Sequence, residues 1–141
     1  MKFYRGNISL SADTVFVFGS NPEGRHGAGA ALTAKRLFGA IFGCGEGPQG
    51  CAYAIPTKDL RVTANHGYRS ISKERIIESI RTMYAYAIRH PQLNFKIAYR
   101  NTYTRSLSGY TGIEMIEMFK AAGPIPDNVW VSEEWYRTGL L

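Results

Sequence analysis

The sequence is poor in cysteine, and its two cysteines do not fit a metal-binding pattern. Cys44 and Cys51 are the only cysteines in 141 residues. They lie seven positions apart, without the second cysteine or histidine pair that would complete a tetrahedral metal site. We therefore expect two unpaired thiols, and neither a metal ion nor another cofactor.

Long apolar runs are also absent. No stretch of the sequence reaches the roughly 18 to 20 apolar residues that a membrane-spanning helix needs. The first six residues, MKFYRG, lack the apolar segment of a secretory signal. We therefore expect a cytoplasmic protein that does not interact with membranes.

Acidic residues are too few to balance the basic ones. The chain has 17 lysine and arginine residues against 11 aspartate and glutamate residues, which gives a net charge of +6. Such a charge attracts anionic ligands, from nucleotides to nucleic acid. The basic residues are scattered, however, without the run of like charges that is typical of a nucleic-acid-binding arm. The charge indicates an anionic ligand but does not identify it.

Strand and helix patterns alternate along the chain. A length of 141 residues fits one domain, which we assign to residues 1–141. β-branched and aromatic runs predict strands at residues 14–18, 51–56, 95–99 and 129–131. Helical spacing predicts helices at residues 30–38, from the N-cap Ser72 to about residue 90, and at residues 112–122. This alternation predicts an α/β domain with a mixed or parallel sheet covered by helices.

Glycine-rich segments mark the expected loops. Residues 42–50 contain four glycines and one proline, which predicts a loop. In a parallel α/β sheet the ligand crevice lies beyond the carboxyl ends of the strands, so loops at residues 19–29, 57–69 and 101–112 should converge.

The first of these loops contains the sequence GRHGAGA at residues 24–30, in which backbone N–H groups can approach an anion at the start of a helix. The spacing is neither a P-loop nor Gly-x-Gly-x-x-Gly. A tight strand-to-helix turn is the alternative interpretation.

Two segments carry a family resemblance. The sequence VFGSN at residues 17–21, followed by GAGAA at residues 27–31, resembles the strand, asparagine and glycine-rich loop that open macrodomains, the ADP-ribose-binding α/β/α modules. The sequence YAIPTK at residues 53–58, the helix after Ser72 and the loop SLSGY at residues 106–110 follow in the macrodomain order. The resemblance covers nearly the whole chain and extends to small macro-like proteins of phages and bacteria. It implies a three-layer α/β/α domain with a mixed central sheet.

The resemblance also implies a set of binding residues. In that family, the asparagine that matches Asn21 contacts the distal ribose, the glycine loop wraps the diphosphate, and the loop at residues 106–110 closes the other side, with Tyr110 near the ribose. Asn21 also has an alternative interpretation as a turn residue before Pro22. Ser106 stands where the family usually has glycine. The implied ligand-binding residues are Gly19, Ser20, Asn21, Gly27, Ala28, Gly29, Ala30, Thr57, Ser106, Leu107, Ser108, Gly109 and Tyr110.

Two residues are candidates for catalysis. Lys58 resembles the lysine of the terminal ADP-ribose glycohydrolase branch, which removes ADP-ribose from carboxylate side chains. The partner aspartate of that branch would fall at Ser108, and the acid of the other hydrolytic branch at Gly29, so both carboxylates are missing. The side chain of Asp59 should point to the opposite face from Lys58. His26, inside the glycine loop, is a candidate base or phosphate contact, and otherwise an exposed loop histidine.

Three functional hypotheses follow. The first is a protein that binds ADP-ribose, a related nucleotide or an ADP-ribosylated target, with hydrolysis of the ADP-ribosyl linkage as an additional hypothesis. The second is a non-catalytic reader or sponge for the same ligand. The third is a basic module that binds single-stranded nucleic acid, for which residues 99–105, with aromatic and basic residues interleaved, are the candidate stretch.

Overall fold

A mixed six-stranded β-sheet organises the chain. The structure is a computed structural model and describes residues 1–62 and 69–141. Its strands are β1 (Lys2–Tyr4), β2 (Thr14–Ser20), β3 (Gly47–Gln49), β4 (Ala52–Pro56), β5 (Asn94–Ile97) and β6 (Val129–Ser132). Its helices are α1 (Gly29–Leu37), α2 (Lys73–Arg89), α3 (Gly112–Ala121) and α4 (Glu133–Tyr136). The strand order is β1-β6-β5-β2-β4-β3, and all neighbouring pairs are parallel except β3 with β4.

The α/β class, the strands β2, β4, β5 and β6 and the helices α1 to α3 confirm the sequence prediction, with ends that shift by one or two residues. The prediction of a loop throughout residues 42–50 was wrong, because β3 lies within it. Pro48 is tolerated there because β3 is an edge strand, where a missing N–H costs no ladder bond. The sequence patterns also missed the three-residue β1 and the four-residue α4. Residues 63–68, which include His66 and six of the thirteen residues of the loop expected at residues 57–69, lie outside the described residues.

Two hydrophobic clusters lie on opposite faces of the sheet. Successive residues of a strand point to opposite faces. Val15 and Val17 of β2 therefore pack with the buried residues of α2 and α3, including Ile76, Ile80 and Phe119. Other side chains of β2 and β4 pack with α1 and with two residues that follow it, in a second cluster formed by Phe16, Phe18, Ala31, Ala34, Phe38, Ala40, Ala52 and Ala54.

Further sequence predictions can be compared with the structure: a helix cap, the two cysteines and membrane-spanning segments. The Ser72 hydroxyl accepts a hydrogen bond from Arg75 N at 3.2 Å, as expected for the N-cap of α2. Cys44 and Cys51 are free thiols, as predicted. Within residues 1–62 and 69–141, no helix combines the length and apolar composition that crossing a bilayer requires.

Trp135 of α4 anchors the segment that follows β5. Its ring is fully buried, packs edge-on against Phe119 at 5.7 Å between ring centroids and stacks with Tyr99 at 6.0 Å. Its indole N–H donates to Asn101 O at 2.7 Å. A Cβ at Gly112 would lie 1.5 Å from the same carbonyl oxygen, so α3 begins directly against this segment. The loop after β5 is thus held by the core.

We expect Trp135→Ala to lower the free energy of unfolding by about 3–5 kcal/mol, because it leaves a large cavity and an unpaired Asn101 carbonyl. Urea denaturation followed by circular dichroism measures this loss. Trp130→Ala is the matched control, since Trp130 is half-buried on β6, and we expect it to cost about 1 kcal/mol. Equal losses in the two variants would contradict the anchoring role of Trp135.

Candidate functional site

A cleft of about 920 Å³ opens at the carboxyl ends of β2, β4 and β5. Its volume lies within the range of about 300–1,000 Å³ that is usual for small-molecule sites. The three loops that the sequence predicts to converge all contribute to it. Twelve predicted site residues line the cleft: Gly19, Ser20, Asn21, Gly27, Ala28, Gly29, Ala30, Thr57, Lys58, Ser106, Leu107 and Ser108. The other three, His26, Gly109 and Tyr110, do not.

Five consecutive backbone N–H groups, those of residues 27–31, have no acceptor within the described part of the chain. The first helical hydrogen bond in this region runs from Leu32 N to Ala28 O at 3.2 Å. The N-cap residue Ala28 has no side-chain oxygen, and the first turn of α1 has no acidic residue. All five residues line the cleft. Free donors at a helix start bind anions, so this edge of the cleft is suited to a phosphate.

The side chain of Asn21 holds the loop in front of these N–H groups. Its Nδ2 donates to Arg25 O, and its Oδ1 accepts from Arg25 N, both at 2.8 Å. Gly24 closes the same turn with φ +67°, and a Cβ there would lie 2.3 Å from the backbone of Gly43. Asn21 therefore forms the turn that the sequence offers as an alternative to ribose contact. It also lines the cleft, with one amide N–H that has no partner among the described residues.

His26 lies behind the glycine loop rather than in the cleft. Its ring is 2% exposed and packs edge-on against Phe18, with 5.3 Å between ring centroids. Nε2 lies 3.0 Å from Ile41 O and 3.2 Å from Cys44 O, and since both are acceptors, Nε2 carries the proton. The buried Nδ1 has no partner in the described part of the chain. This placement fits neither a ligand contact nor an exposed loop histidine, and His26 instead ties the loop to residues 41–44.

The floor of the cleft contains a tyrosine that the sequence analysis did not select. The Tyr99 hydroxyl donates to Thr57 Oγ1 at 3.2 Å, and burial raises the pKa of Tyr99, an effect that the Thr57 hydrogen bond partly opposes. This arrangement requires glycine at position 19, because a Cβ there would lie 2.2 Å from the tyrosine oxygen. The Thr57 hydroxyl hydrogen has no acceptor among the described residues and remains available at the cleft.

Two serine hydroxyls occupy the loop opposite the glycine loop. Ser106 Oγ and Ser108 Oγ lie 2.6 Å apart. Ser108 N donates to Ser106 Oγ, and Tyr110 N donates to Ser108 Oγ, both at 3.3 Å. Gly109 N donates to Ser106 O at 3.0 Å. These backbone donors are therefore satisfied within the loop and do not remain free for a ligand.

Tyr110 packs away from the cleft. It is 3% exposed, and its hydroxyl donates to Ile71 O at 2.7 Å. The Arg69 guanidinium lies 4.7 Å from its ring centroid and pairs with Glu114. Tyr110 does not line the cleft in this structure, because its ring is against Arg69 and its hydroxyl is bonded to Ile71 O, and its expected position near a bound ribose stays a prediction.

All charged side chains that line the cleft are basic. They are Arg25, Lys58, Arg100 and Arg105, and no aspartate or glutamate within the described ranges lines it. None of the four forms an ion pair with a described carboxylate. Their charges are thus free to attract an anion into the cleft.

Two carboxylates close in sequence to lining residues, Asp59 and Glu23, pair with Arg61 and do not line the cleft. Arg61 donates to the Asp59 carboxylate at 2.9 and 3.0 Å, which holds the pKa of Asp59 down at about 2. Glu23 lies 3.3 Å from Arg61 Nε, as an ion pair without good hydrogen-bond geometry. Asp59 is outside the cleft lining, whereas Lys58 belongs to it, as their adjacent positions predict. Within residues 1–62 and 69–141, no group of three histidine, cysteine, aspartate or glutamate side chains could hold a metal ion.

Several lining residues were missed by the sequence analysis. They are Arg25, Ala31, Leu60, Ala98, Tyr99, Arg100, Asn101 and Arg105. In the sequence the basic residues are scattered, and Tyr99 is considered only as part of the stretch at residues 99–105. Two signals were present. Arg25, Leu60, Asn101 and Arg105 lie in the three loops that the sequence predicts to converge, and residues 98–101 directly follow β5, whose carboxyl end meets the crevice.

We expect Gly19→Ala to destabilise the protein by about 1–3 kcal/mol, because its Cβ would collide with the Tyr99 hydroxyl. Tyr99→Phe removes that oxygen and leaves the next atoms, Tyr99 Cζ and Thr57 Oγ1, at 3.0 Å from the new Cβ. The double variant should therefore lose less stability than the sum of the single variants, by at least about 0.5 kcal/mol. Urea denaturation of the four proteins measures the coupling, and additive losses would contradict the contact.

Comparison of the sequence with models of known protein families finds no match, and comparison with curated proteins finds no significant one. The macrodomain resemblance therefore stays a prediction that depends on the residues quoted above. The geometry of the cleft can be judged independently of it.

Proposed function

We propose that the protein is a macrodomain-like protein that binds ADP-ribose or a related ADP-ribose-derived nucleotide in the cleft, either free or attached to a target. In this proposal, the sheet with α1 on one face and with α2 and α3 on the other corresponds to the three-layer α/β/α arrangement of that family. The small phage and bacterial macro-like proteins are the proposed relatives.

The observation that carries the proposal is the row of free N–H groups at residues 27–31. A diphosphate needs several donors at close range, and backbone donors at a glycine-rich loop provide them without a side chain in the way. Arg25 lies at the same loop and adds a positive charge to this edge of the cleft. A nucleotide with a diphosphate therefore matches both the donors and the charge.

Other cleft groups suit a ribose and a base. The hydroxyl of Thr57 and one amide N–H of Asn21 are polar and lack partners among the described residues, which suits the hydroxyls of a sugar. Leu60 and Leu107 line the cleft and are 39% and 52% exposed, so they offer apolar surface to a base. Arg105 supplies charge on the side where the serine hydroxyls take up the backbone donors.

Binding is better supported than hydrolysis. Hydrolysis of a glycosidic linkage usually involves a carboxylate or an activated nucleophile near the anomeric carbon. The cleft lining has no carboxylate within the described ranges, and Lys58 is its one amine. We therefore place the reader hypothesis first and treat Lys58 as the candidate nucleophile of the hydrolytic one.

Calorimetric titration with ADP-ribose tests the proposed binding. We expect a dissociation constant tighter than about 1 mM, and a weaker value contradicts the proposal. Gly27→Leu should abolish measurable binding without lowering stability, because a Cβ at Gly27 meets no atom within 4 Å and the added side chain would enter the open cleft. Unchanged affinity in this variant would place the ligand elsewhere.

A matched pair of arginine variants separates the contribution of a charge in the cleft to ADP-ribose affinity from that of the net charge of the protein. Arg25→Ala should weaken ADP-ribose binding about tenfold, the effect expected for one charged hydrogen bond. Arg36→Ala removes the same charge from an exposed position on α1 outside the cleft and should change affinity less than twofold. Equal effects would indicate attraction by net charge alone.

Lys58 variants test hydrolysis separately from binding. We expect Lys58→Arg to retain ADP-ribose affinity, because the charge stays in the cleft, and to lose any turnover, because guanidinium is not a nucleophile. Release of ADP-ribose from glutamate-linked, serine-linked and nucleic-acid-linked substrates measures turnover. Turnover that persists in Lys58→Arg would exclude the lysine as nucleophile, and its absence in the natural protein would leave the reader function.

A further inference from the structure

A row of basic and aromatic side chains crosses β1, β6 and β5. Lys2, Trp130 and Lys96 are direct neighbours in the strand register. Lys96 is in turn the register partner of Phe16, which belongs to the α1-side cluster. Register partners point to the same face of a sheet. The row therefore lies on the face that carries α1.

The α1-side cluster does not extend to this row. Its buried members come from β2, β4, α1 and the residues just after α1, and none comes from β1 or β6. Lys2 is exposed, and Lys96 and Trp130 are half-buried. Ile8, in the connection between β1 and β2, also packs against the α1-side cluster, so the row is partly rather than fully open to solvent.

Aromatic rings hold the basic groups of this face in place. Lys2 Nζ and Lys96 Nζ lie 5.5 and 5.3 Å from the centroid of the Trp130 ring. A ring attracts a cation through its quadrupole and does not neutralise it, whereas a carboxylate does. Neither lysine forms an ion pair with a described carboxylate, in contrast to Arg5, Arg61, Arg69, Arg75 and Arg137.

The same pattern continues toward the cleft. Tyr4 lies two residues after Lys2 and thus on the same face, and its hydroxyl donates to Ile97 O. The Arg100 guanidinium lies 5.6 Å from the Tyr4 ring centroid, and Arg100 also lines the cleft. We name Lys2, Tyr4, Lys96, Arg100 and Trp130 the basic strip. Arg100 is the one member of the basic strip that also lines the cleft.

Two carboxylates border the basic strip without pairing with its cations. Asp13 is at one end, where it accepts from Asn94 Nδ2 at 3.3 Å and from Ser11 Oγ at 2.8 Å. Glu134 lies near Tyr4 and adds to the rise in the pKa of its hydroxyl, for which burial is the main cause and which Arg100 partly opposes. The three cations of the strip therefore remain available to an anionic ligand.

We propose that the basic strip binds the backbone of single-stranded nucleic acid. Its cations are presented on a sheet face, and the half-buried Trp130 ring lies between two of them, whereas Tyr4 is buried. A ring between cations suits a flexible strand of phosphates and bases better than it suits a chain of carboxylates such as polyglutamate. The basic strip also differs from residues 99–105, the candidate stretch for nucleic acid in the sequence, because Arg100 is the only residue that the two share.

Fluorescence anisotropy with a labelled single-stranded DNA of about 12 nucleotides tests the proposal at several salt concentrations. The variant Lys2→Ala/Lys96→Ala should lose about tenfold in affinity at low salt, and its salt dependence should become shallower by about 1.4, the value for two phosphate contacts on a single strand. Trp130→Phe should remove the tryptophan fluorescence change on binding, because Trp135 is buried in the core.

The control variant Lys35→Ala/Lys120→Ala removes the same charge from exposed positions on α1 and α3. It should keep the affinity within twofold and the salt slope unchanged. Equal losses in control and strip variants, equal competition by polyglutamate, or no DNA binding by the natural protein would each overturn the proposal. The ADP-ribose titration is an independent measurement, because Lys2 and Lys96 do not line the cleft and their replacement should leave the ADP-ribose affinity unchanged.

Discussion

The first half of the loop between β2 and α1 is held by contacts with the rest of the protein. These contacts do not use the backbone N–H groups of residues 27–31, which therefore stay free. The Asn21 amide bonds both backbone groups of Arg25, Gly24 packs directly on Gly43, and His26 reaches two carbonyls of residues 41–44. In each of these contacts, the residue that belongs to the loop precedes residue 27. The N–H groups of residues 27–31 then open to the cleft without an acceptor among the described residues. A preformed row of donors avoids the ordering cost that a mobile loop would add to binding.

The parallel arrangement of β2, β4 and β5 brings the other cleft residues to this row. Lys58 follows β4, and Arg100 and Arg105 follow β5, so their charges meet although they are far apart in the chain. Trp135 and Gly112 hold the β5 loop from the opposite side. Asp59 and Glu23, which are close in sequence to lining residues, pair with Arg61 outside the cleft lining. The cleft lining described here is therefore basic without a local excess of arginine in the sequence.

The sequence predicted much of the cleft because residues that follow parallel strands share one edge of the sheet. Gly27 and Gly29 could be selected on that basis and Lys58 through the family resemblance, and all three line the cleft. The roles of His26 and Tyr110 could not be predicted, because a side chain in a loop can turn inward or outward with the same local sequence. His26 turns inward because two carbonyls and Phe18 receive it, and Tyr110 does so because Ile71 O accepts its hydroxyl.

Local patterns in the sequence determined the main strands, the three longer helices and the α/β class, since periodicity and end signals act over a few residues. The short elements escaped them: β1 has three residues and β3 contains glycine and proline, so both depend on pairing with a neighbouring strand. The free N–H groups at residues 27–31 follow from local sequence as well, because alanine and glycine offer no capping oxygen. Only the tertiary structure decided which charges surround them, because the positions of Arg25, Arg100 and Arg105 depend on loop anchoring and strand order.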